Sequence, residues 1–287
     1  MTTFGAHAFV WTAEWSADGA EIALRGAAAR GLDFVEIPLL RDIDAFPLER
    51  TLELLDETGV AVTTSLGLPR EAHMPANPEG ALAYLTGAVE LTQKLGSDTL
   101  TGGLYTHLGT LTRKPPTADE IETCGRTLKE VARVAAGHGV QIGIEAINRY
   151  ETYINNTAGQ VAEMLERIDE PNVFAHLDTY HMNIEERGFR EPIERLGDRL
   201  KYIHLSESDR GTPGLGNVHW DDVFAGLHAI GYDGRLTMES FVAVNEDIIG
   251  ATAIWRDIVG DPDTLIRDGL AFLQGKSREY ELLPAAA

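Results

Sequence analysis

Four short apolar runs in the second half of the chain each stop at an acid or an imidazole, and this pattern restricts the possible folds more than any other feature. The first lies in V-Q-I-G-I-E-A-I-N-R-Y-E-T-Y-I-N-N (140–156). The others are V-F-A-H-L-D-T-Y-H (173–181), L-K-Y-I-H-L-S-E-S (200–208) and R-L-T-M-E-S-F (235–241). Side chains of a strand alternate between its two faces. One face then carries Ile142/Ile144, Ala175/Leu177, Ile203/Leu205 and Leu236/Met238, all apolar. The other carries Gly143/Glu145, His176/Asp178, Tyr202/His204 and Thr237/Glu239. A closed parallel barrel accounts for this division, because its outer face packs on helices while its inner face presents polar groups at the C-terminal mouth.

In such a barrel Glu145, Asp178, His204 and Glu239 converge. Three carboxylates and one imidazole cannot crowd together bare, since like charges force one group to protonate. A divalent cation resolves the conflict. The oxygen-rich set, with one nitrogen and no thiolate, suits Mn²⁺, Mg²⁺ or Co²⁺ better than a structural zinc site. The competing reading is four unrelated strand ends that cap helices or form ion pairs.

Strand-like and helix-like segments alternate along the whole chain. The sequence predicts strands at 3–10, 34–38, 60–66, 99–103, 140–146, 173–178, 200–205 and 236–239. Predicted helices cover 19–30, 48–58, 79–95, 117–136, 158–168 and 221–230, with short ones at 183–186 and 193–196 and a C-terminal one near 264–274. Strict alternation implies a parallel sheet, and eight units in 287 residues fit one closed (β/α)8 TIM barrel, a single domain over 1–287. No G-x-G-x-x-G follows the first strand, so no nucleotide cofactor is expected.

Composition narrows the function. With 24 Lys and Arg against 45 Asp and Glu the formal net charge is −21, which disfavours nucleic acid as a partner. No run is apolar enough for a membrane span and the N-terminus M-T-T-F-G-A-H has no leader pattern, so a cytoplasmic protein with no membrane partner is expected. The lone Cys124 falls in a predicted helix and reads as a packed thiol. Glu36, on the second strand, reads as a hydrogen-bonded core carboxylate, and His176, one layer below Asp178, as a core histidine. Trp220 and Trp255 read as packing or subunit contacts. His7 ends the first strand and is a candidate substrate contact.

The phrases I-E-A-I-N-R-Y-E (144–151), L-D-T-Y-H-M-N-I-E-E (177–186), H-L-S-E-S-D-R-G (204–211) and M-E-S-F (238–241), with V-W-T and E-W-S near the start, resemble the ketose 3-epimerases. These are the D-tagatose, D-allulose (psicose) and L-ribulose 3-epimerases of the xylose-isomerase-like barrels. The resemblance implies that Glu145, Asp178, His204 and Glu239 hold the metal and that Glu145 and Glu239 are also the acid/base pair. It further implies that Glu151, His181 and Arg210 hold the ketose near O1 to O3, and that Trp15 and Phe241 line the sugar pocket. A homodimer or homotetramer is implied as well. The loop G-G-L-Y-T-H-L-G-T-L after the fourth strand lacks a tryptophan that some allulose epimerases carry there, and Gly109 stands near that position. The wall at the far end of the sugar is therefore not set by the resemblance.

Other chemistries use the same parts. An aldose–ketose or hydroxypyruvate-type isomerase, or an inosose epimerase or dehydratase, would keep the metal and the enediolate and change the product. A sugar-binding barrel would keep the fold without needing either glutamate. A repair endonuclease would need more histidines and a basic face than this sequence has.

Overall fold

The inward and outward alternation read from the sequence is what closes the sheet. The computed structural model describes residues 2–39, 42–242, 244–259 and 262–284. Its strands are β1 (Thr3–His7), β2 (Phe34–Pro38), β3 (Ala61–Gly67), β4 (Thr99–Gly103), β5 (Gln141–Glu145), β6 (Val173–Asp178), β7 (Leu200–Leu205) and β8 (Arg235–Met238). They form a closed barrel in chain order, all parallel, with β1 against β8. Around it run α1 (Ala17–Ala28), α2 (Leu48–Thr58), α3 (Pro78–Lys94), α4 (Ala118–Gly137), α5 (Ala158–Ile168), α6 (Thr179–Glu185), α7 (Arg190–Leu196), α8 (Trp220–Ala229), α9 (Glu246–Thr252) and α10 (Pro262–Glu279).

Helix starts follow local chemistry. Thr117 with Glu120 and Thr157 with Gln160 form capping boxes that satisfy the first amides of α4 and α5, worth about 1 kcal/mol per cap. Cys124 on α4 is buried, and that burial pushes its thiol up to about 12, so it stays a packed neutral group.

The barrel interior is layered. At the lower level Phe34, Phe174 and Tyr202 cluster inside the strands. The rings fit because two facing positions lack side chains. A Cβ on Gly5 would lie 2.6 Å from the Phe34 ring, and one on Gly143 would lie 2.5 Å from the Phe174 ring. Above them a polar column rises toward the mouth. Thr63 Oγ1 donates to Tyr202 Oη at 2.7 Å, which donates to Glu36 Oε2 at 2.7 Å. His176 pairs with Thr101 Oγ1 at 2.9 Å and is fully buried, as expected of a core histidine.

Some boundaries differ from the sequence expectation. Strand β1 stops at His7 and the chain turns into a short 3-10 helix over Ala8–Val10. Helix α6 begins at Thr179 rather than near 183, because Asp178 caps it by accepting from the Tyr180 amide at 2.8 Å. Helix α10 is longer than foreseen, and α9 was not foreseen. Among the described residues no helix is long and apolar enough to cross a membrane.

Candidate active site and metal centre

The four strand-end groups meet. Strands β5 to β8 are consecutive, so Glu145, Asp178, His204 and the residue just after β8, Glu239, form an arc with a glutamate at each end. From His204 Nδ1 the distances are 3.9 Å to Glu145 Oε1, 3.9 Å to Asp178 Oδ2 and 3.5 Å to Glu239 Oε2. A six-coordinate ion with bonds of about 2.1 Å separates neighbouring ligands by about 3 Å and opposite ones by about 4.2 Å, so the spacing suits such an ion.

The donors are aimed as ligands. Glu36 Oε2 accepts from His204 Nε2 at 2.7 Å, which turns Nδ1 toward the carboxylates, where it has no hydrogen-bond partner among the described residues. A metal-bound histidine is typically oriented this way by a carboxylate behind it. Burial opposes ionisation of Glu36, but His204 and His7 outweigh it and bring its carboxyl down to about 2. The core reading of Glu36 thus holds, and the carboxylate also orients a cage residue. Asp178 gives Oδ1 to the cap of α6 and turns Oδ2 into the cage, where Arg210 also reaches it.

The field inside the cage attracts positive charge. Burial, together with repulsion from Asp178 and Glu239, raises the Glu145 carboxyl well above the ordinary range. At the other end burial acts the same way on Glu239, but Arg210 and His204 outweigh it and hold that carboxyl well below. Burial works against a charged His204 too, yet Glu36 and Glu239 raise its pKa well above normal. In the ion-free cage the two ends of the arc thus differ in their affinity for a proton.

Arg210 joins the same cluster. Its Nη1 donates to Asp178 Oδ2 at 2.6 Å, to Ser206 Oγ at 3.0 Å and to Glu239 Oε2. Its guanidinium lies 3.9 Å from the centre of the Tyr180 ring and 5.2 Å from that of Phe241. The backbone of Arg210 is left-handed (φ 66°), a conformation that must be held by its surroundings. Glu207 supplies the hold. Its buried carboxylate accepts from the amides of Ser208, Gly214 and Val218 and from Trp220 Nε1 at 2.8–3.1 Å. Trp220 is therefore a core residue, whereas Trp255 is 76% exposed.

A cavity of about 260 Å³ opens over the cage. Glu145, Glu151, His181, His204, Arg210 and Glu239 give it a polar end. Phe9, Pro38, Leu39, Leu66, Leu108 and Ile248 give it an apolar one, and His7 and Phe241 also line it. Phe241 stacks on Phe9 with 5.3 Å between ring centres. His7 accepts from the Phe9 amide at 3.1 Å and faces Ser65 Oγ at 3.4 Å. Glu151 and His181 share a partner, Asn148, whose amide nitrogen lies 2.7 Å from Glu151 Oε1 and 2.8 Å from His181 Nδ1.

Two expectations need correction. Trp15 does not line the cavity: it is buried in the core, its indole donating to Thr51 Oγ1 of α2 at 3.2 Å. His181 belongs to the first turn of α6 and not to a loop. In the loop after β4 the side chain facing the cavity is that of Leu108, while Gly109 gives its amide to the Glu151 carbonyl at 2.7 Å. Glu36, Asn148, Tyr180, Glu207 and Leu108 carry parts of the site that the sequence reading assigned no role there. Asn148 and Glu207 stood inside the quoted phrases, and their polarity next to strand ends was the available signal.

Comparison with known proteins agrees with this geometry. Residues 24–276 match the family model described as xylose isomerase-like TIM barrel. An L-ribulose 3-epimerase of Methylomonas sp. (strain DH-1) is 37% identical, with 94% of this chain and 96% of that protein aligned. A ketose 3-epimerase of Arthrobacter globiformis is 34% identical over 95% and 96% of the two chains. Among solved structures, D-allulose 3-epimerase from Methylomonas sp. in complex with D-allulose superposes with a TM-score of 0.91 at 36% identity, covering 96% of this chain and 97% of that one. The chain belongs to the ketose 3-epimerase family of the xylose isomerase-like TIM barrels and is an enzyme of the isomerase class.

Proposed function

We propose that this protein is a divalent-metal-dependent epimerase that inverts C3 of free ketoses, of the D-fructose/D-allulose, D-tagatose/D-sorbose or L-ribulose/L-xylulose type. The observation that carries the reading is the arc of Glu145, Asp178, His204 and Glu239 at the polar end of the cavity, with an ionisable glutamate at each end. Those four residues would hold the ion, Mn²⁺ by preference with Co²⁺ or Mg²⁺ as alternatives. Once bound, it supplies Lewis-acid stabilisation for the negative charge that develops as C3 loses its proton.

The side chains do the rest. One glutamate removes the C3 proton, the carbonyl and C3 together become a cis-enediolate, and the other glutamate returns a proton to the opposite face. Neither needs to travel, because the substrate lies between the ends of the arc. Such acid/base help is worth about 10²- to 10⁴-fold. Arg210, held between Tyr180 and Phe241, offers an N–H to a sugar oxygen, and Glu151 with His181 fixes the O1–O2 end. Arg210 is the one Lys or Arg among the described lining residues, and it is already engaged by two carboxylates, which favours an unphosphorylated sugar. Self-association as a homodimer or homotetramer belongs to the same reading, and light scattering on the purified protein measures it.

The decisive experiment incubates each ketose with enzyme and Mn²⁺ in D₂O and reads the sugar by NMR. Deuterium at C3 together with the C3 epimer is expected. Label at C1 with an aldose product would replace this reading by an aldose–ketose isomerase, and no label in any ketose would end it.

The carboxylate behind His204 provides a separate check. The variant Glu36→Gln keeps the shape but removes the charge that polarises the imidazole, so affinity for Mn²⁺ should fall by about 10- to 100-fold. Isothermal titration measures it, and an unchanged dissociation constant would show that Glu36 only fills space.

A further inference from the structure

We propose that Asn148 is a positioning residue that fixes the tautomer of His181, making its Nε2 a hydrogen-bond donor that works beside Arg210 on one substrate oxygen. The inference rests on the proposed reaction and adds to it the state of a group that faces the sugar.

The orientation of the Asn148 amide is set twice. Its Oδ1 accepts from the Tyr150 amide at 2.9 Å, so Nδ2 must point the other way. There it meets Glu151 Oε1 at 2.7 Å, an acceptor that requires an N–H. The second hydrogen of Nδ2 is directed at His181 Nδ1, 2.8 Å away. An amide nitrogen can only donate, so Nδ1 accepts and the imidazole hydrogen sits on Nε2. Asn148 is 1% exposed and His181 3% exposed, so water does not compete for either contact.

That hydrogen points into the polar end of the cavity. Nε2 lies 3.7 Å from Glu145 Oε1 and 3.7 Å from Asp178 Oδ2, too far for hydrogen bonds to either. Arg210 Nη2 lies 3.4 Å from the same nitrogen. With Nε2 protonated, these two nitrogens are a pair of donors side by side and not partners of each other. Two adjacent N–H groups with no acceptor between them suit an oxygen that gains negative charge as the C3 proton leaves. The opposite tautomer would place a lone pair against that oxygen.

The test reads the tautomer directly. In Mg²⁺-loaded enzyme labelled with ¹⁵N-histidine, His181 is assigned by its loss in His181→Gln. Expected for the wild type are a protonated-type Nε2 and an unprotonated-type Nδ1. In Asn148→Asp the carboxylate accepts from Nδ1, so the proton should move there and kcat/KM should fall by about 100-fold. Asn148→Ala should give a mixture and an intermediate loss. A wild-type spectrum with the proton on Nδ1 would overturn the proposal without any variant. So would an Asn148→Asp enzyme with unchanged tautomer and kcat/KM within about twofold of wild type. Failure of the functional reading shows separately, as a wild-type enzyme that incorporates no deuterium at C3 whatever the His181 tautomer.

Discussion

Replacing either arc-end glutamate by glutamine will leave a protein that exchanges the C3 hydrogen of one epimer with solvent yet no longer interconverts the two. Glutamine keeps the volume and an oxygen for the cation but cannot carry a proton. In Glu145→Gln only Glu239 can remove a proton, and it reaches only the epimer whose C3–H faces it. The proton it abstracts returns to the same face, so deuterium enters without inversion. The Glu239→Gln variant should label the other epimer. Net epimerisation should fall by about 10²- to 10⁴-fold in both. The experiment runs each variant in D₂O from each pure epimer with excess Mn²⁺, and NMR follows label and inversion separately. If both variants label the same epimer, or either inverts C3 within about tenfold of the wild-type rate, the two glutamates do not act from opposite sides.

Chelation should abolish turnover and lower the melting temperature, and the thermal effect should grow with pH. An ion present at about 100 times its dissociation constant stabilises the fold by about 2.7 kcal/mol, or roughly 5 °C for a chain of this size. The pH dependence follows from the ion-free cage. Burial and neighbouring carboxylates raise Glu145 well above its ordinary value, and burial first of all raises Asp178 to about 6 and Glu151 to about 7. A raised carboxyl binds its proton more tightly in the folded state. Its contribution is therefore complete below the ordinary value of about 4 and is lost as pH climbs through the raised one. Glu36 and Glu239 behave oppositely, but their lowered values put that loss in strong acid. Between pH 6 and 8 the ion-free protein should weaken while the loaded one holds. Differential scanning fluorimetry with and without EDTA measures the gap, and an equal gap at both pH values would argue against a cation shared by these carboxylates.

Much of the site was legible because strands have a period of two. Parity alone sorted Glu145, Asp178, His204 and Glu239 from their apolar neighbours, and the structure places them around one point. Closure of the barrel followed from counting alternating units. What parity cannot carry is geometry beyond the strand end. Asp178 both ends β6 and caps α6, so the chain turns helical four residues earlier than its hydrophobic pattern suggests and moves His181 onto that helix. The pattern also says nothing about which way a loop faces, so the place of Leu108 in the cavity wall was not legible. Trp15 stood in a phrase of the resemblance, yet it follows the 3-10 turn after β1, and its indole reaches α2 instead of the mouth. Asn148 and Glu207 act through backbone amides and shared hydrogens, relations that appear only once the loops are folded.

The cavity is divided along the chain. Its apolar side comes largely from the first four strands and the segments after them, through Phe9, Pro38, Leu39, Leu66 and Leu108, and its ionisable side from the last four strands and the segments after them, with His7, Glu36 and Ser65 as the polar exceptions in the first half. The apolar wall and most of the ionisable groups are therefore inherited on separate halves of one polypeptide. A lineage can reshape that wall by exchanging residues in its N-terminal half while Glu145 and Glu239 stay unaltered.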